Sequence, residues 1–473
     1  MSAYVKVSDI TNEERENLEK ACIKLIGKKS QNLCTYSIDR SVLSVPFATA
    51  CHVLKKKQNV GKIFPPIDIE FTGILRDYQR QLRKDAVYHL NNCGSVLLKL
   101  HCGAGKTCLA INIATKIKLK TLIVVHRVVL MKQWIESIKT FTSSKKIQVI
   151  KANEDLSQDV DFYVINVVNI FKHSTLDFFN IGLVIFDECH IMGSEKAINA
   201  FKLFSPKYII GLSATPERND GMHNLIEMYI GNSVIEKKME QNHVFYKIKH
   251  VSENDYSNDK YVNQTTQKLE WNKIINDQAM DTKRNNMISQ IIIGMPERIF
   301  IVLCKRVEQC YFLQTKLKQH DVYADIFTGN SKNANYNARV LVSTFSKTGE
   351  GFDHPNLDTL IVATDVKTKI EQYHGRIFRR KDAKPIVIDI VDDFGPFHGH
   401  FNSRKNYYMS SGGVMRNFDR DYPHIFKDNF LGKGTNTAEY HNKITVSEVI
   451  NGSKGDNTCN HANSFVASRM SAF

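Results

Sequence analysis

Twice along the chain, short apolar runs alternate with longer amphipathic segments, and few architectures accept that rhythm. The first set comprises Val96–Leu100, Thr121–Val125, Phe162–Asn166, Leu183–Phe186 and Tyr208–Leu212, separated by stretches such as LMKQWIESIKTF. Strands apolar on both faces need cover on both faces, which a parallel sheet between helices supplies. A polar stretch containing SENDYSNDKYVNQTTQ interrupts the pattern, with room for one or two helices around Trp271. The rhythm resumes in Arg298–Cys304, Val340–Ser343, Leu360–Ala363 and Ile386–Ile390. The expected fold class is α/β, with tandem parallel-sheet domains at 71–235 and 291–400 and a connecting region at 236–290.

Two flanks lie outside the rhythm. Residues 1–70 read as a small accessory region that begins with a helix in DITNEERENLEKACIKLIG, acidic in its first turn and capped by an Asp or Thr. Ile63–Phe71, with Pro65-Pro66, reads as an extended linker. Residues 401–473 are expected to form a low-order tail, because Gly, Asn, Ser and Lys replace aliphatic runs from Ser410 onward.

The first apolar run feeds a stretch with specific chemistry, Leu100-His101-Cys102-Gly103-Ala104-Gly105-Lys106-Thr107, followed by CLAINIATKIK at helical spacing. A strand, a Gly-containing loop ending in Gly-Lys-Thr and a helix form the context of a phosphate-binding loop. Its backbone N–H groups and the positive end of the helix dipole meet the anion. Lys106 can reach the terminal phosphates, and the Thr107 hydroxyl can hold Mg²⁺. Leu100 stands where the strict pattern has Gly. Asp187-Glu188-Cys189-His190 ends the run LVIF, so its carboxylates share the crevice at the carboxyl edge of the sheet. There Asp187 is placed to hold Mg²⁺, directly or through water, and Glu188 to orient and deprotonate an attacking water. An isolated Asp-Glu pair is more often a helix cap; paired with Gly105-Lys106-Thr107 it reads as nucleotide hydrolysis. One strand on, Ser213 and Thr215 offer hydroxyls that could bond the Asp-Glu-x-His segment. Upstream, Arg76 or Gln79 of LRDYQ could read an adenine edge.

The succession LRDYQ, HCGAGKT, VVHRVVLMKQW, FDECH, GLSATPERNDG resembles the two-domain motor of superfamily 2 helicases with a DExH box. It is most similar to the branch related to the xeroderma pigmentosum group B helicase, phage recombination helicases and helicases of large DNA viruses. In that branch CGAGKT without the first Gly is usual. The resemblance covers about residues 71–400 and implies two RecA-like domains with ATP and Mg²⁺ in the cleft between them. It implies that His101, Cys102, Gly103, Ala104, Gly105, Lys106 and Thr107 cradle the nucleotide while Gln79 recognises adenine. It further implies that His190 couples hydrolysis to movement, Ser213 and Thr215 link the lobes, and Arg127 lies on the nucleic-acid path. Gln372 to Arg380 fits the Q-x-x-G-R-x-x-R pattern of these motors. Arg376 and Arg379 stand one helical turn apart, so both guanidinium groups can face one cleft and stabilise a transferring γ-phosphoryl. By the same resemblance Thr344 touches the nucleic-acid backbone, and Gly351 and Asp353 lie near the ribose and the coupling path. Lys305 and Arg306 would meet phosphates of the tracked strand, with plain surface charge an equal alternative. Ile390 to Phe394 and SRKNYY are similar to the end of the motor in large-DNA-virus members. That implies a viral protein of host cytoplasm or nucleus, or of the virion.

A net charge of +15 and a pI near 9.2 fit a polyanionic partner. DNA is favoured over RNA by the resemblance alone. No apolar run nears the roughly 20 residues of a membrane span, so no membrane partner is expected. Ten cysteines without a C-x-x-C pair read as reduced thiols of a soluble intracellular protein. One chain holding both halves is compatible with a monomer, and nothing identifies protein partners. The expected activity is ATP-dependent helicase or translocase in DNA repair, recombination or transcription. Alternatives are an RNA helicase, a translocase that releases transcripts, a non-hydrolysing nucleic-acid scaffold and a restriction-type motor subunit. No nuclease-like cluster supports the last.

Overall fold

The computed structural model describes residues 2–26, 31–56, 62–192, 201–214, 223–231, 233–329, 331, 335, 337–348, 354–367, 370–380 and 382–426. Before the first apolar run come β1 (Ser2–Lys6), β2 (Ile23–Ile26), β3 (Gln31–Cys34), β4 (Ser37–Asp39) and β5 (Val42–Pro46). The helix Asn12–Ala21 starts at a reciprocal cap, with Thr11 Oγ1 accepting from the Glu14 N–H at 3.1 Å and Glu14 accepting from the Thr11 N–H at 2.8 Å. This flank does not stand apart. Ala3, Val5, Leu18, Leu43 and Phe47 share one core with Leu97, Val184, Phe186 and Tyr229 of the first sheet domain. The stretch 62–71 is extended, as expected, and is laid across that domain: the Ile67 N–H bonds the Lys118 carbonyl at 3.0 Å, and Ile67 and Ile69 are buried.

The first sheet contains β6 (Ser95–Leu100), β7 (Thr121–Val125), β8 (Ile147–Ile150), β9 (Phe162–Asn166), β10 (Leu183–Phe186), β11 (Tyr208–Ser213) and β12 (Val234–Lys237). Their order is β12-β6-β11-β10-β7-β9-β8, and every pair is parallel. β10, LVIF, is buried along its whole length, each such side chain contributing about 1.5–3 kcal/mol by leaving water. Because β6, β11 and β10 are neighbours, the segments that follow them emerge side by side at one edge. The phosphate loop, Ser213 and the Asp187-Glu188 pair are therefore brought together by strand order alone.

The second sheet repeats the design with β13 (His243–His250), β14 (Phe300–Cys304), β15 (Ala324–Phe327), β16 (Val340–Thr344), β17 (Thr359–Val362), β18 (Ile386–Asp392) and β19 (Gly413–Arg416). Its order is β15-β16-β14-β17-β18-β13-β19, again all parallel. This membership departs from the expected boundaries at both ends. β13 falls in the stretch expected only to connect, because Lys247, Lys249 and His250 break up the apolar signal of HVFYKIKH. The stretch also holds the helices Trp271–Met280 and Thr282–Ile293. β19 and the helix Gly395–Ser410 reach past residue 400, with Phe397, Phe401 and Tyr408 packed in the same core as Val387 and Leu360. Phe418 and Ile425, in the expected tail, are buried against Ile388 and Val302. Residues 427–473 of that tail lie outside the described residues.

Two buried arginines pin the second sheet to its helices. Arg404 forks onto Asp389 at 2.7 and 2.8 Å and reaches Asp365 at 2.9 Å. Arg284, fully buried, meets Asp392 at 3.0 Å and donates to the carbonyls of Ile390 and Ala363. Bidentate, fully bonded pairs offset the cost of burying charge; one partner alone would not.

Candidate active site

The phosphate loop is gripped from behind. Gln79 Nε2 donates to the carbonyls of Ala104 (2.9 Å) and Gly105 (3.3 Å), Tyr78 Oη to Ala104 (3.0 Å), and Arg76 Nη1 to Gly103 (3.4 Å). Gln79 also accepts from the Arg76 N–H at 2.9 Å, so its amide is engaged at both ends. Gly105, at φ +74°, turns the chain into the helix Lys106–Ile117; a Cβ there would sit 2.6 Å from Gln79 Nε2. Lys106 Nζ rests on the Leu100 carbonyl at 3.1 Å. Thr107 follows it in the first turn, and the His101 N–H bonds the Lys237 carbonyl at 3.3 Å.

Asp187 is buried, and each of its carboxylate oxygens already accepts one N–H: Oδ2 from Trp134 Nε1 at 2.8 Å, Oδ1 from Glu188 at 3.0 Å. Burial and the neighbouring Glu188 push the Asp187 carboxyl up, against the Trp134 N–H and Lys106, which pull it down. Burial also raises Glu188, but the His190 contact and Lys106 outweigh it and hold that carboxyl below its usual range. Glu188 sits at φ +48°, in the left-handed region, strain that a rigid surround must hold. Its Oε2 is buried without an aligned hydrogen bond among the described residues; His190 Nδ1 stands 3.3 Å away as an ion-pair contact. The same His190 nitrogen is 3.0 Å from Ser213 Oγ, so the Asp-Glu-x-His segment and the end of β11 do meet. Thr215 lies outside the described residues.

Among the described residues, the second sheet's domain approaches the phosphate loop at Gly375. A Cβ on Gly375 would lie 2.7 Å from Cys102 Cβ and 2.9 Å from the Cys102 carbonyl, so only glycine lets the two lobes touch there. Gln372 and Arg376 are buried beside it, and Arg379 is half-buried. The expected shared helical turn is absent. The α-helix ends at His374, Gly375–Ile377 is a 3₁₀ turn, and Arg379 lies beyond it. Close approach to Cys102 at Gly375 accompanies the tighter turn, and helical spacing does not align the two arginines. Lys305 and Arg306 leave β14 beside Thr344 of β16: the Lys305 N–H bonds Thr364 Oγ1 at 3.2 Å and Arg306 Nη2 the Asn272 carbonyl at 3.0 Å. Burial lowers the Lys305 pKa. Arg127, exposed, stands at the residue before the helix Val128–Phe141. Gly351 and Asp353 lie outside the described residues.

The family model "Type III restriction enzyme, res subunit" matches residues 72–218. "Putative helicase 161L" of Invertebrate iridescent virus 6 is 33% identical over 447 residues, covering 88% of this chain and 100% of that protein. The chain belongs to the superfamily 2 helicases of large DNA viruses. A second relative of this helicase, "Putative ATP-dependent RNA helicase L396" of Acanthamoeba polyphaga mimivirus, is 30% identical over 373 residues, 73% of this chain and 70% of that one. Among solved structures, S. cerevisiae Dbp5 bound to RNA and ADP BeF3 has a TM-score of 0.50 at 14% identity, covering 72% and 90% of the two chains, a likeness of fold. The helicase is ATP-dependent and acts on nucleic acid. No helix among its described residues is long and apolar enough to cross a membrane.

Trp134 was not legible as a site residue. Its position on the apolar face of an amphipathic helix gives a core signal, and nothing in the sequence says its N–H points at a carboxylate 53 positions away. Tyr78 was visible only as a neighbour of Gln79, and Arg76 only as a candidate for the adenine edge, not as a brace of the phosphate loop.

Proposed function

We propose that this helicase hydrolyses ATP between its two lobes, with Lys106, Thr107, Asp187 and Glu188 from one side and Gln372, Arg376 and Arg379 from the other. The approach of Gly375 to Cys102 carries this reading, since Arg376 directly follows Gly375 in the chain and Cys102 belongs to the loop that would hold the phosphates. Gln79 would brace the loop, its Oε1 keeping one lone pair for an adenine amino group. Thr107 and Asp187 fit Mg²⁺: both are hard oxygen donors, and each Asp187 oxygen keeps a lone pair beyond its one N–H, enough for a water of a hydrated ion. When bound, the ion would neutralise charge on the phosphate oxygens. Glu188 Oε2, buried and not otherwise aligned, suits a group that holds the attacking water and takes its proton. His190 and Ser213 would carry the state of that site to the second lobe.

The nucleic acid would run past the carboxyl ends of β7, β14 and β16, gripped by Arg127, Lys305 and Arg306, with Thr344, buried at the end of β16, beside them. Grip on phosphates gives weak sequence preference and strong salt dependence. We favour DNA as the substrate, on the resemblance to the xeroderma pigmentosum group B branch. The mimivirus relative's name, an RNA helicase, is the specific ground for RNA. ATPase stimulation by single-stranded DNA, duplex DNA and RNA, followed by strand displacement on tailed substrates, decides between them. Stimulation by DNA alone supports the DNA reading, stimulation by RNA alone reverses it, and none by either overturns the motor.

A further inference from the structure

The chain crosses from the first lobe to the second in five residues, Lys238 to Asn242, between β12 and β13. Both ends of that crossing are fastened beside the proposed nucleotide site. At the first-lobe end the Lys237 carbonyl accepts from the His101 N–H of the phosphate loop (3.3 Å). At the second-lobe end His243 Nε2 lies 3.1 Å from His374 Nε2, and His374 immediately precedes Gly375, which touches Cys102. The contacts close a ring: Lys237, His101, Cys102, Gly375, His374, His243 and back through the crossing.

The tautomers in that ring are fixed. His243 Nδ1 is 2.8 Å from the Gln241 carbonyl, so Nδ1 carries the proton and Nε2 accepts. His374 must then donate from Nε2, which leaves its Nδ1 to accept from the Tyr407 hydroxyl at 3.4 Å, with Met239 Sδ of the crossing at 3.9 Å as the competing acceptor. Both histidines are buried, and burial pushes both pKa values down, keeping the neutral forms that this chain of donors needs. The crossing itself has little freedom at this end. The Gln241 N–H bonds the Ser411 carbonyl at 2.9 Å, and a Cβ on Gly413 would lie 2.6 Å from His243 Nε2.

We propose that the His243–His374 hydrogen bond is a latch that fastens the inter-lobe crossing to the turn bearing Arg376, making both histidines positioning residues for ATP hydrolysis. Movement of the lobes about the crossing and arrival of Arg376 at the phosphate loop then become one motion. The proposal rests on the role given above to Arg376, and the test separates the two.

In the full chain, His243→Phe keeps the ring that packs against His374 and Phe378 but can neither accept the hydrogen bond from His374 nor donate to the Gln241 carbonyl. It should lower nucleic-acid-stimulated kcat about tenfold, the worth of one buried hydrogen bond, with KM for ATP within twofold of wild type. His243→Gln carries Oε1 near the position of Nε2 and should recover most of the loss. If His243→Phe does not fold, Tyr407→Phe removes only the hydroxyl at the far end of the relay and should lower kcat about threefold. Wild-type kcat in the folded variant overturns the latch, and so does a failure of Gln to rescue or a parallel change in KM. Arg376→Ala is assayed alongside. If it turns over normally, the arginine reading fails; if it is inactive while His243→Phe is not, the latch alone fails.

Discussion

Trp134→Phe isolates one N–H in the site. The ring stays apolar and nearly the same shape, but Asp187 Oδ2 loses its 2.8 Å donor. A hydrogen bond to a charged, buried group is worth about 1.5–3 kcal/mol. For a domain of this size each kcal/mol moves the melting point by about 2–4 °C, so a fall of roughly 3–12 °C is expected at pH 8. The sign with pH follows from Asp187. Its folded pKa lies above its unfolded value, so the folded state binds the proton more tightly and stability falls as pH rises from the unfolded value near 3.8 through the folded one. Losing the indole N–H removes a contact that favours the ionised form, raising the folded pKa further and extending the fall to higher pH. At pH 5 more of the folded variant escapes the penalty by protonation. The cost should therefore be smaller at pH 5 than at pH 8. Thermal unfolding of both proteins by circular dichroism at the two pH values, without nucleotide, measures it. An equal cost at both pH values, or none at pH 8, would refute the idea that Trp134 holds Asp187 ionised.

Lys106→Ala should abolish ATP hydrolysis while leaving the melting point within a few degrees, since Nζ gives up one bond to the Leu100 carbonyl and its attraction for the Asp187 and Glu188 carboxylates; phosphate release reads the first and calorimetry the second. Arg404→Ala should cost about 3–5 kcal/mol in urea unfolding, because it removes the buried charge facing Asp389 and Asp365 and leaves them the Tyr408 hydroxyl and the His400 ring. A loss under 1 kcal/mol would mean that water reaches them. The affinity for single strands should drop steeply with salt, the log–log slope being about 0.7 per phosphate contacted, and Arg127→Ala should reduce that slope by close to one contact without changing sequence preference; fluorescence anisotropy across a salt series measures both.

The legible strands were the ones buried on both faces. β6, β7, β9, β10, β11, β14, β16, β17 and β18 announce themselves because apolar residues dominate them, even with Lys99 inside β6 and Asp389 inside β18. β8, β12, β15 and β19 lie at or next to a sheet edge and are half-exposed, so their apolar signal is diluted. β13 has neighbours on both sides yet alternates apolar residues with lysines, and only its partners β18 and β19 reveal it as a strand. The site shows the same division. Gly105, Lys106, Asp187 and Glu188 sit where strand ends put them. Trp134 and the His243–His374 pair meet through tertiary packing that no spacing encodes. The arginine segment shows a local period overruled: contact at Cys102 coincides with a 3₁₀ turn where helical spacing alone would set Arg376 and Arg379 on one face.

Arg376→Ala tests most directly whether hydrolysis depends on the two lobes together. Nucleotide affinity, read with a fluorescent ATP analogue, should stay within a fewfold of wild type, because the phosphate loop is untouched. Turnover stimulated by nucleic acid should fall about 10³-fold or more, the worth of an arginine that stabilises a transferring phosphoryl group. Turnover within tenfold of wild type would contradict a shared active site and leave hydrolysis to the first lobe alone.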